Sequence, residues 1–334
     1  MLRNKIYFIT IAIAFLQTSF AFGQFSDLFK KSKDSYSTVG IGGGSSHYFG
    51  DLSPYPTFYY ALYSNVRWNG TLNYQIHLNP RFSGRAAVSY IRLFGNDATY
   101  GWSIANDNPR VKNGRIRNLH FRNDLMEFTA MGLYTLIPMD EKKPRNSPLQ
   151  WSPYVGIGIG ISSNDPKARG SLQHDDGTYK YDPDGKLFIQ PWESLRSSQN
   201  EDRPKIYSSI MPVFPIAVGV KARINQNWIL ALEGSLRLTF FDYLDDVGGD
   251  NYTSSELSYR ADENYYALTG KSRTADYGKA VGDMNLFPAG DASNRIDRTG
   301  ARGSKGVLKD SYIVTQITLN YIITNRVKCP PIPQ

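Results

Sequence analysis

Histidine and cysteine, the side chains most often used for metal binding and acid–base catalysis, are few in this chain. A structural or catalytic zinc site needs three or four such ligands at short, characteristic spacings. No two histidines have that spacing, and the single cysteine, Cys329, has no second thiol to join. The sequence therefore predicts neither a zinc site nor a disulfide framework. The four histidines are His47, His77, His120 and His174.

Two short combinations resemble the sets of histidine, serine and acid that lipid-modifying enzymes use at the rim of small membrane barrels. His120 precedes Asp124, and His47 follows Ser45 and Ser46. In such a set the histidine acts as a general base that activates a hydroxyl. Isolated polar residues at the end of a strand are more typical of the membrane interface than of catalysis. We therefore predict that the protein is not an enzyme and has no catalytic residue.

Acidic and glycine-rich segments raise the question of ion and phosphate binding. Asp182-Pro183-Asp184-Gly185, and Asp245-Asp246 with Asp250, offer oxygen ligands of the kind that calcium prefers. Solvated acidic turns have the same composition. The run Gly40-Ile41-Gly42-Gly43-Gly44 lacks the Lys-Ser/Thr pair and the helix that follow a phosphate-binding loop. We predict no metal site and no cofactor.

The elements that carry these residues are strands with two unlike faces. In the segment Trp228–Tyr243 every second side chain from Trp228 to Phe240 is apolar or absent, and the row between them contains Glu233, Ser235 and Arg237. A period of two indicates an extended strand, because successive side chains point to opposite faces of a sheet. The alternation recurs and predicts about eight strands in all. The other segments are Tyr36–Phe49, Arg67–Leu78, Gly84–Gly95, Met126–Leu136, Tyr154–Ile161, Phe214–Ile224 and Tyr312–Ile323.

The N-terminus has the pattern of a secretory signal peptide. Arg3 and Lys5 precede an apolar run from Ile6 to Phe20, which ends in Ala21-Phe22-Gly23 before Gln24. A basic start, a short apolar stretch and a small-x-small cleavage site are typical of such signals. The run is too short and wrongly flanked for a membrane-spanning helix. We predict that residues 1–23 form a signal peptide and that the mature chain is exported.

Composition favours a membrane barrel over a nucleic-acid-binding protein. The chain has 29 Gly, 23 Tyr and 5 Trp, with a mean hydropathy of −0.41. A barrel is hydrophilic on average because half of each strand faces a polar lumen and its outer loops are long. Loss of Arg3 and Lys5 with the signal lowers the net charge from +8 to +6. No block of Lys and Arg accompanies this excess, so nucleic acid is excluded as a partner.

The connections between the predicted strands are sorted by length. Residues 79–81 and 225–227 are tight turns and Met139–Trp151 is somewhat longer, whereas the alternating connections are long. Short periplasmic turns and long extracellular loops are typical of outer-membrane barrels. We therefore predict an all-β, transmembrane up-and-down antiparallel β-barrel over residues 36–323. A periplasmic segment, 24–35, precedes it and a periplasmic tail, 324–334, follows it. The long connections are 50–66, 96–118, 165–211 and 243–310.

Polar side chains are expected to fill the narrow lumen of so small a barrel. Charges of both signs fall on the inward rows, and we expect them to pair between neighbouring strands, with Glu233 and Arg237 paired to each other. The glycine rows Gly40/Gly42/Gly44 and Gly156/Gly158/Gly160 would leave room for long Arg and Tyr side chains opposite. The predicted lumen charges are Arg85, Glu127, Lys221, Glu233 and Arg237.

Several motifs in this order and spacing resemble one family of outer-membrane barrels, over essentially the whole mature chain. The motifs are Tyr48-Phe49-Gly50-Asp51-Leu52, Leu78-Asn79-Pro80-Arg81-Phe82, Phe121-Arg122-Asn123-Asp124, Pro153-Tyr154-Val155-Gly156-Ile157-Gly158, Asn164-Asp165-Pro166-Lys167-Ala168, Phe241-Asp242-Tyr243-Leu244-Asp245-Asp246-Val247 and Lys328-Cys329-Pro330. The family they resemble includes PorG of the type IX secretion system of the Bacteroidetes, together with many uncharacterised relatives.

The resemblance implies a non-catalytic component of, or accessory to, the type IX machinery. It would contact outer-membrane lipid and the periplasmic ring that a lipoprotein and its partner form. We would place that contact on Phe25–Ser35, with Lys30, Lys31 and Lys33, and on the tail Asn325–Gln334. Two alternatives remain open. One is a surface receptor or adhesin that binds an external ligand through loops 165–211 and 243–310, and the other is a lipid-modifying enzyme.

Overall fold

The part of the chain that the structure describes contains the strands and the chain next to them. The computed structural model describes residues 35–53, 62–63, 65–96, 120–139, 151–168, 181–186, 191–196, 206–248 and 310–323. No helix in these ranges is long and apolar enough to cross a bilayer. The predicted signal peptide, nearly all of segment 24–35 and the tail 324–334 lie outside the described residues.

Ten strands of the described chain form one antiparallel sheet. Two of them are short, β6 (Lys167–Ala168) and β7 (Glu193–Ser194), and lie in the connection between β5 and β8. The eight long strands are β1 (Tyr36–Phe49), β2 (Arg67–His77), β3 (Phe82–Asn96), β4 (His120–Thr135), β5 (Trp151–Ser163), β8 (Ile210–Arg223), β9 (Trp228–Phe241) and β10 (Asp310–Ile323).

The long strands close into a barrel. Each pairs with the next long strand along the chain, and β1 also pairs with β10, where Thr38 lies opposite Ile322 and Gly42 opposite Thr318. Closure gives every long strand two neighbours and removes the unpaired edges that an open sheet would present. The predicted fold class, an up-and-down antiparallel barrel of eight strands, is confirmed.

Several strands extend beyond the predicted segments. β4 begins at His120 and β8 at Ile210, where the alternation predicted Met126 and Phe214. At the start of β4 both faces are largely covered, as at His47, Tyr48 and Phe49 of β1, which are all buried. At the start of β8 Ile210 is exposed, whereas Met211 and Val213 are buried and apolar, so the sequence shows no alternation of polarity there. In this barrel polarity alternates only where one face meets a polar lumen and the other an apolar environment. The sequence pattern therefore identified the strand centres better than their ends.

The two faces of the wall have the polarity of a membrane barrel. On the outside Ile157 is 71% exposed and Leu232 is 54% exposed, whereas on the inside Glu233 is 1% exposed and Glu127 is 0% exposed. A soluble barrel would bury the apolar row and expose the charged one, so this arrangement fits a wall surrounded by hydrocarbon. The predicted outward direction of the apolar row of β9 is confirmed.

The connections differ in length at the two ends of the barrel, which we call the turn end and the loop end. At the turn end Asn79 Oδ1 accepts hydrogen bonds from the amides of Arg81 (3.0 Å) and Phe82 (2.7 Å). Asn225 Oδ1 does the same for Asn227 (2.8 Å) and Trp228 (3.0 Å). An Asn side chain that bonds the backbone ahead of it stabilises a tight turn. The loop end carries connections 50–66, 97–119, 164–209 and 242–309.

Candidate functional site

The centre of the lumen is occupied by a buried ion pair that spans the barrel. Glu233 on β9 accepts hydrogen bonds from Arg85 on β3, whose Nη1 and Nη2 lie 2.6 Å and 2.8 Å from its two oxygens. The same carboxylate accepts bonds from Tyr154 Oη at 2.7 Å and from Gln316 Nε2 at 3.3 Å. The side chains of Arg85 and Glu233 are 7% and 0% exposed. The bidentate pair joins β3 to β9 across the lumen, and the bonds from Tyr154 and Gln316 add β5 and β10 to the same network.

A second ion pair lies nearer the loop end. Arg237 Nε on β9 is 3.1 Å from Glu127 Oε1 on β4. Tyr312 on β10 donates its hydroxyl proton to the other oxygen of Glu127 at 2.5 Å, and Arg237 also contacts Ser235. In the lumen, each of the two buried carboxylates thus accepts hydrogen bonds from one arginine and one tyrosine hydroxyl. A buried charge requires such partners.

The predicted pairing of the lumen charges is confirmed, but the predicted partners are wrong. Glu233 and Arg237 do not bind each other; each binds a residue on a strand that is not its neighbour in the sheet. They stand four residues apart on one strand, a separation of about 13 Å. Opposite walls of an eight-strand barrel are close enough for long side chains to meet. Lys221 donates to Thr135 Oγ1 at 3.0 Å, and no carboxylate of the described residues pairs with it.

The glycine rows make room mainly for side chains of adjacent strands, not for the Arg and Tyr residues expected opposite. A Cβ at Gly42 would clash with Thr318, and one at Gly158 would lie 2.6 Å from Met131 Cγ. The glycine that makes room for a lumen tyrosine is Gly219, where a Cβ would lie 2.6 Å from the Tyr154 hydroxyl.

Little space remains in the lumen at the turn end. A cavity of about 20 Å³ there is lined by polar side chains including Gln75, His77, Thr135 and Lys221. A cavity must exceed about 10–15 Å³ to hold one water molecule. This space therefore suits one ordered water and is too small for a substrate or cofactor.

Buried acids and a tyrosine close the loop end, in a cluster that we call the loop-end cap. Tyr48 Oη lies 2.7 Å from Asp245 Oδ2 and 2.8 Å from Asp310 Oδ1. Asp245 also accepts from the amide of Leu52 at 3.2 Å, and Asp310 accepts from the amide of Leu244 at 2.9 Å. A phenol has a single proton, so the second of its two contacts requires a proton on one of the carboxyls. The cap joins β1, β10 and the chain that leaves β9.

Two asparagines extend the cap towards β4 and β5. Asn123 Nδ2 donates to Asn164 Oδ1 at 2.6 Å and to the carbonyl of Leu244 at 2.9 Å. Asn164 Nδ2 donates in turn to the carbonyl of Tyr243 at 3.1 Å. Apolar side chains pack around these bonds and are almost fully buried. They are Tyr48, Leu52, Phe121, Leu244 and Val247.

The cap brings together motifs that are far apart in the sequence. Tyr48 and Leu52, Asn123, Asn164, and Leu244 with Asp245 come from four of the motifs that carry the family resemblance. Together with Asp310 they form one buried cluster. These residues therefore have a common structural role, which is to fix the starts of the loops to the barrel.

The residues considered for catalysis do not form a catalytic set. Ser45 Oγ lies 2.8 Å from His47 Nε2 and 2.6 Å from Thr315 Oγ1, and the structure places no carboxylate of the described residues beside His47. Ser46 donates to the carbonyl of Arg92 instead. Asp124, considered with His120, accepts bonds from two arginines. His120 stacks edge-on against Trp192.

The acidic turn at 182–185 uses its own oxygens for local bonds. Asp182 Oδ1 accepts from the amides of Asp184 at 3.0 Å and Lys186 at 2.8 Å, and Gly185 has a φ of 75°. Within the described ranges no group of His, Cys, Asp and Glu side chains is arranged to hold a metal ion. His174, Asp250 and Cys329 lie outside the described residues.

Three residues that matter at these sites were not among the predicted site residues: Tyr154 and Tyr312 in the lumen, and Asp310 in the cap. The period of two along each strand does indicate the position of the two tyrosines. Tyr154 shares the inward parity of Gly156, and Tyr312 shares that of Gln316. Extending each polar row to the end of its strand would have placed both hydroxyls inside the barrel.

A known protein family matches part of the chain. A family described as a domain of unknown function, DUF6089, matches residues 192–282, which include β7, β8 and β9. No curated protein sequence matches the chain.

Among solved structures the chain is similar to small bacterial surface barrels. Neisserial surface protein A, NspA, shares 9% identity, with a TM-score of 0.35 and coverage of 86% of this chain and 99% of that one. Ail, the attachment invasion locus protein of Yersinia pestis, shares 8% identity, with a TM-score of 0.32 and coverage of 86% and 99%. The outer membrane protein OprG of Pseudomonas aeruginosa shares 7% identity, with a TM-score of 0.31 and coverage of 89% and 98%. At such identities function does not transfer.

Proposed function

We propose that this protein is a non-catalytic barrel of the outer membrane that serves as a scaffold and not as a pore. The observation that carries the proposal is the filled lumen, in which Arg85 pairs with Glu233 and Arg237 with Glu127 across the barrel. Outward apolar rows support placement in a bilayer. The turn end would face the periplasm and the loop end the exterior, which agrees with the sorted connections and the predicted signal peptide.

A closed lumen has a direct electrical consequence. We expect the purified full chain, reconstituted in a planar bilayer, to show little conductance, because the two ion pairs and the loop-end cap obstruct the lumen. Replacing Arg85 and Tyr154 together with alanine should produce channel openings that the wild type lacks. A matched control is Arg81→Ala at the turn end, where the guanidinium lies outside the lumen network. Large, stable single-channel steps from the wild-type protein would contradict the scaffold role.

We further propose that the barrel is an accessory of the type IX secretion machinery and meets its periplasmic ring at the turn end. The sequence resemblance supports this role. At the turn end Ile137 is 61% exposed and Ile224 is 53% exposed, and a contact with the ring would cover both.

The type IX role is tested by crosslinking from defined positions. A photo-crosslinking residue at Gln226, in the turn after β8, is expected to capture the ring lipoprotein in intact cells. The same residue at Asp184, on the loop side, is the control and should capture no ring component. Deleting the gene should reduce type IX secretion. If secretion is unchanged and Gln226 captures no ring protein, this role is wrong, while the scaffold barrel stands.

A second candidate is a surface receptor that binds an external ligand through its long loops. The loop-end cap favours it, because it fixes the chain on both sides of connections 164–209 and 242–309 to one buried cluster. A rigid base is what exposed binding loops require. Deleting residues 251–305 tests the receptor. Loss of ligand binding at the cell surface with secretion intact supports the receptor, whereas unchanged ligand binding contradicts it.

A further inference from the structure

Two guanidinium groups share one carboxylate on the outer wall at the loop end, and the guanidinium of Arg67 lies over Phe94 of the same wall; we call the three arginines, Arg67, Arg92 and Arg122, the arginine cluster. Arg92 Nε lies 2.6 Å from Asp124 Oδ1, and Arg122 Nε lies 2.9 Å from Asp124 Oδ2. The Arg67 guanidinium lies 4.0 Å from the ring centre of Phe94, which shares the outer face of β3 with Arg92, and it donates to the carbonyl of Val66 at 2.7 Å. Among the described residues, the cluster contains three arginines and one carboxylate, that of Asp124. It therefore has an excess of positive charge and is suited to binding an anion.

Aromatic side chains place this cluster at the level of lipid headgroups. The guanidinium of Arg92 lies 5.3 Å from the ring centre of Trp68 and 5.9 Å from that of Tyr90. Trp68 and Tyr90 are themselves stacked at 5.0 Å. Trp and Tyr on the outside of a membrane barrel gather at the boundary between hydrocarbon and headgroups. The side chains of Arg92 and Arg122 are each 24% exposed, so an anion can reach them.

An apolar groove crosses the outer wall from β1 to β5, and on β3 it lies four to six residues closer to the turn end than Arg92. Its floor is made of small residues, since Ala86 on β3 lies directly opposite Ala130 on β4. Its sides include Leu72 from β2, Phe128 from β4 and Ile159 from β5. Almost all of the surface that lines the groove is apolar. The groove is therefore suited to a hydrocarbon chain.

The distance from the arginine cluster to the floor of the groove matches the thickness of one leaflet of a bilayer. Arg92 and Ala86 are six residues apart on the same face of β3, which corresponds to about 20 Å along the strand. A strand tilt of about 40° reduces this to about 15 Å along the membrane normal. Half of the hydrocarbon core is about 15 Å thick. With the arginine cluster at the headgroup of a lipid, the groove thus lies at the depth of the inner half of its acyl chain.

We propose that this wall binds a phosphate-bearing lipid of the outer leaflet, with its phosphate on the arginine cluster and an acyl chain in the groove. The site rests on the proposed outer-membrane placement. Arginine is suited to phosphate because its guanidinium is always charged and carries several donors in one plane. Asp124 holds Arg92 and Arg122 through Nε and Nη2, and Arg92 Nη2 also donates to Tyr90 Oη, so the Nη1 groups of both arginines would donate to the phosphate oxygens.

Native mass spectrometry of the full chain in detergent tests the site, with lipid A and lipid A stripped of its phosphates as probes. We expect the wild type to retain the phosphorylated form at least about tenfold more tightly. The double variant Arg92→Gln/Arg122→Gln should lose this preference. Arg81→Gln removes one positive charge at the turn end and should keep it. Ala86→Phe fills the groove floor and should weaken binding of both lipids while the preference for phosphate remains.

Equal retention of the two lipids by the wild type would overturn the proposal, as would an equal loss of preference in Arg81→Gln. Folding of each variant is checked by its heat-dependent mobility on a denaturing gel. If the double variant does not fold, Arg67→Gln carries the test, because no ion pair joins Arg67 to Asp124 among the described residues. Arg67→Gln should reduce the preference for phosphorylated lipid A several-fold, and an unchanged preference would contradict the lipid site.

Insertion into vesicles distinguishes the two proposals. A wild-type barrel that fails to insert contradicts the proposed function, whereas one that inserts and shows no preference for phosphorylated lipid contradicts the lipid site alone.

Discussion

Arg85→Leu is expected to lower the free energy of unfolding by about 3–5 kcal/mol, because it leaves a buried carboxylate without its counter-ion. The wild-type Glu233 oxygens accept two bonds from Arg85, and the side chain is inaccessible to water. After the substitution only Tyr154 and Gln316 remain as donors, and neither carries a charge. Urea unfolding of the protein in lipid vesicles, followed by tryptophan fluorescence, measures the change.

Two controls separate this charge effect from lost packing. Arg85→Leu/Glu233→Gln also removes the negative charge and keeps an oxygen that accepts from Tyr154, so it should be clearly more stable than Arg85→Leu alone. Arg223→Leu removes an arginine that bonds exposed turn carbonyls and should change stability by no more than about 0.5 kcal/mol. If Arg85→Leu costs no more than Arg223→Leu, the cross-lumen pair does not hold the barrel together.

Leu232→Arg is expected to lower the free energy of unfolding in a bilayer by about 2–4 kcal/mol. Leu232 lies near the middle of β9 and is 54% exposed on the outer wall. A charge at this depth must leave water for hydrocarbon. Ile210→Arg is the matched control, because Ile210 is 61% exposed but lies at the loop end of β8. Its cost should be about 0–1 kcal/mol near the interface.

The comparison distinguishes a membrane wall from a water-exposed one. In water both side chains would be exposed surface residues, and either substitution would change stability by about 0.5 kcal/mol or less. Vesicle unfolding of the two variants side by side supplies the measurement. Equal and small effects at both positions would show that the apolar rows do not face lipid.

The outward and inward rows of the wall were predictable from the sequence, because alternation is a local property. Leu232 and Glu233 face opposite sides of the sheet whatever their neighbours are, since successive side chains of a strand alternate. The tight turns at Asn79 and Asn225 were predictable for the same reason, because each bond joins residues that are two or three positions apart. Alternation and turn residues therefore sufficed to predict the eight long strands and the barrel that they form.

The partners inside the barrel were not predictable from these signals. Arg85 and Glu233 are 148 positions apart, and Arg237 and Glu127 are 110 apart. Which inward residues share a level depends on the register of every strand between them and on closure between β1 and β10. The expectation that charges pair on neighbouring strands was wrong because the lumen is narrow enough for arginine to reach the far wall.

In the loop-end cap, too, the sequence shows the motifs, whereas only the fold shows the contacts between them. The motifs around Tyr48, Asn123 and Asp245 were visible in the sequence as markers of a resemblance, without a physical role. Their side chains meet only after β1, β4 and β9 take their places around the barrel. The arginine cluster is a similar case, since Arg67, Arg92 and Arg122 come from three strands.

By itself the sequence determined the strand pattern, the direction of each row and the sorting of the connections, because these depend on the period of two and on turn chemistry. Only the tertiary structure decided which charges pair, how the loop end is capped and where arginines gather beside an apolar groove. Those features require side chains from distant strands to reach the same point. Barrel closure and strand register, which no local pattern encodes, bring them there.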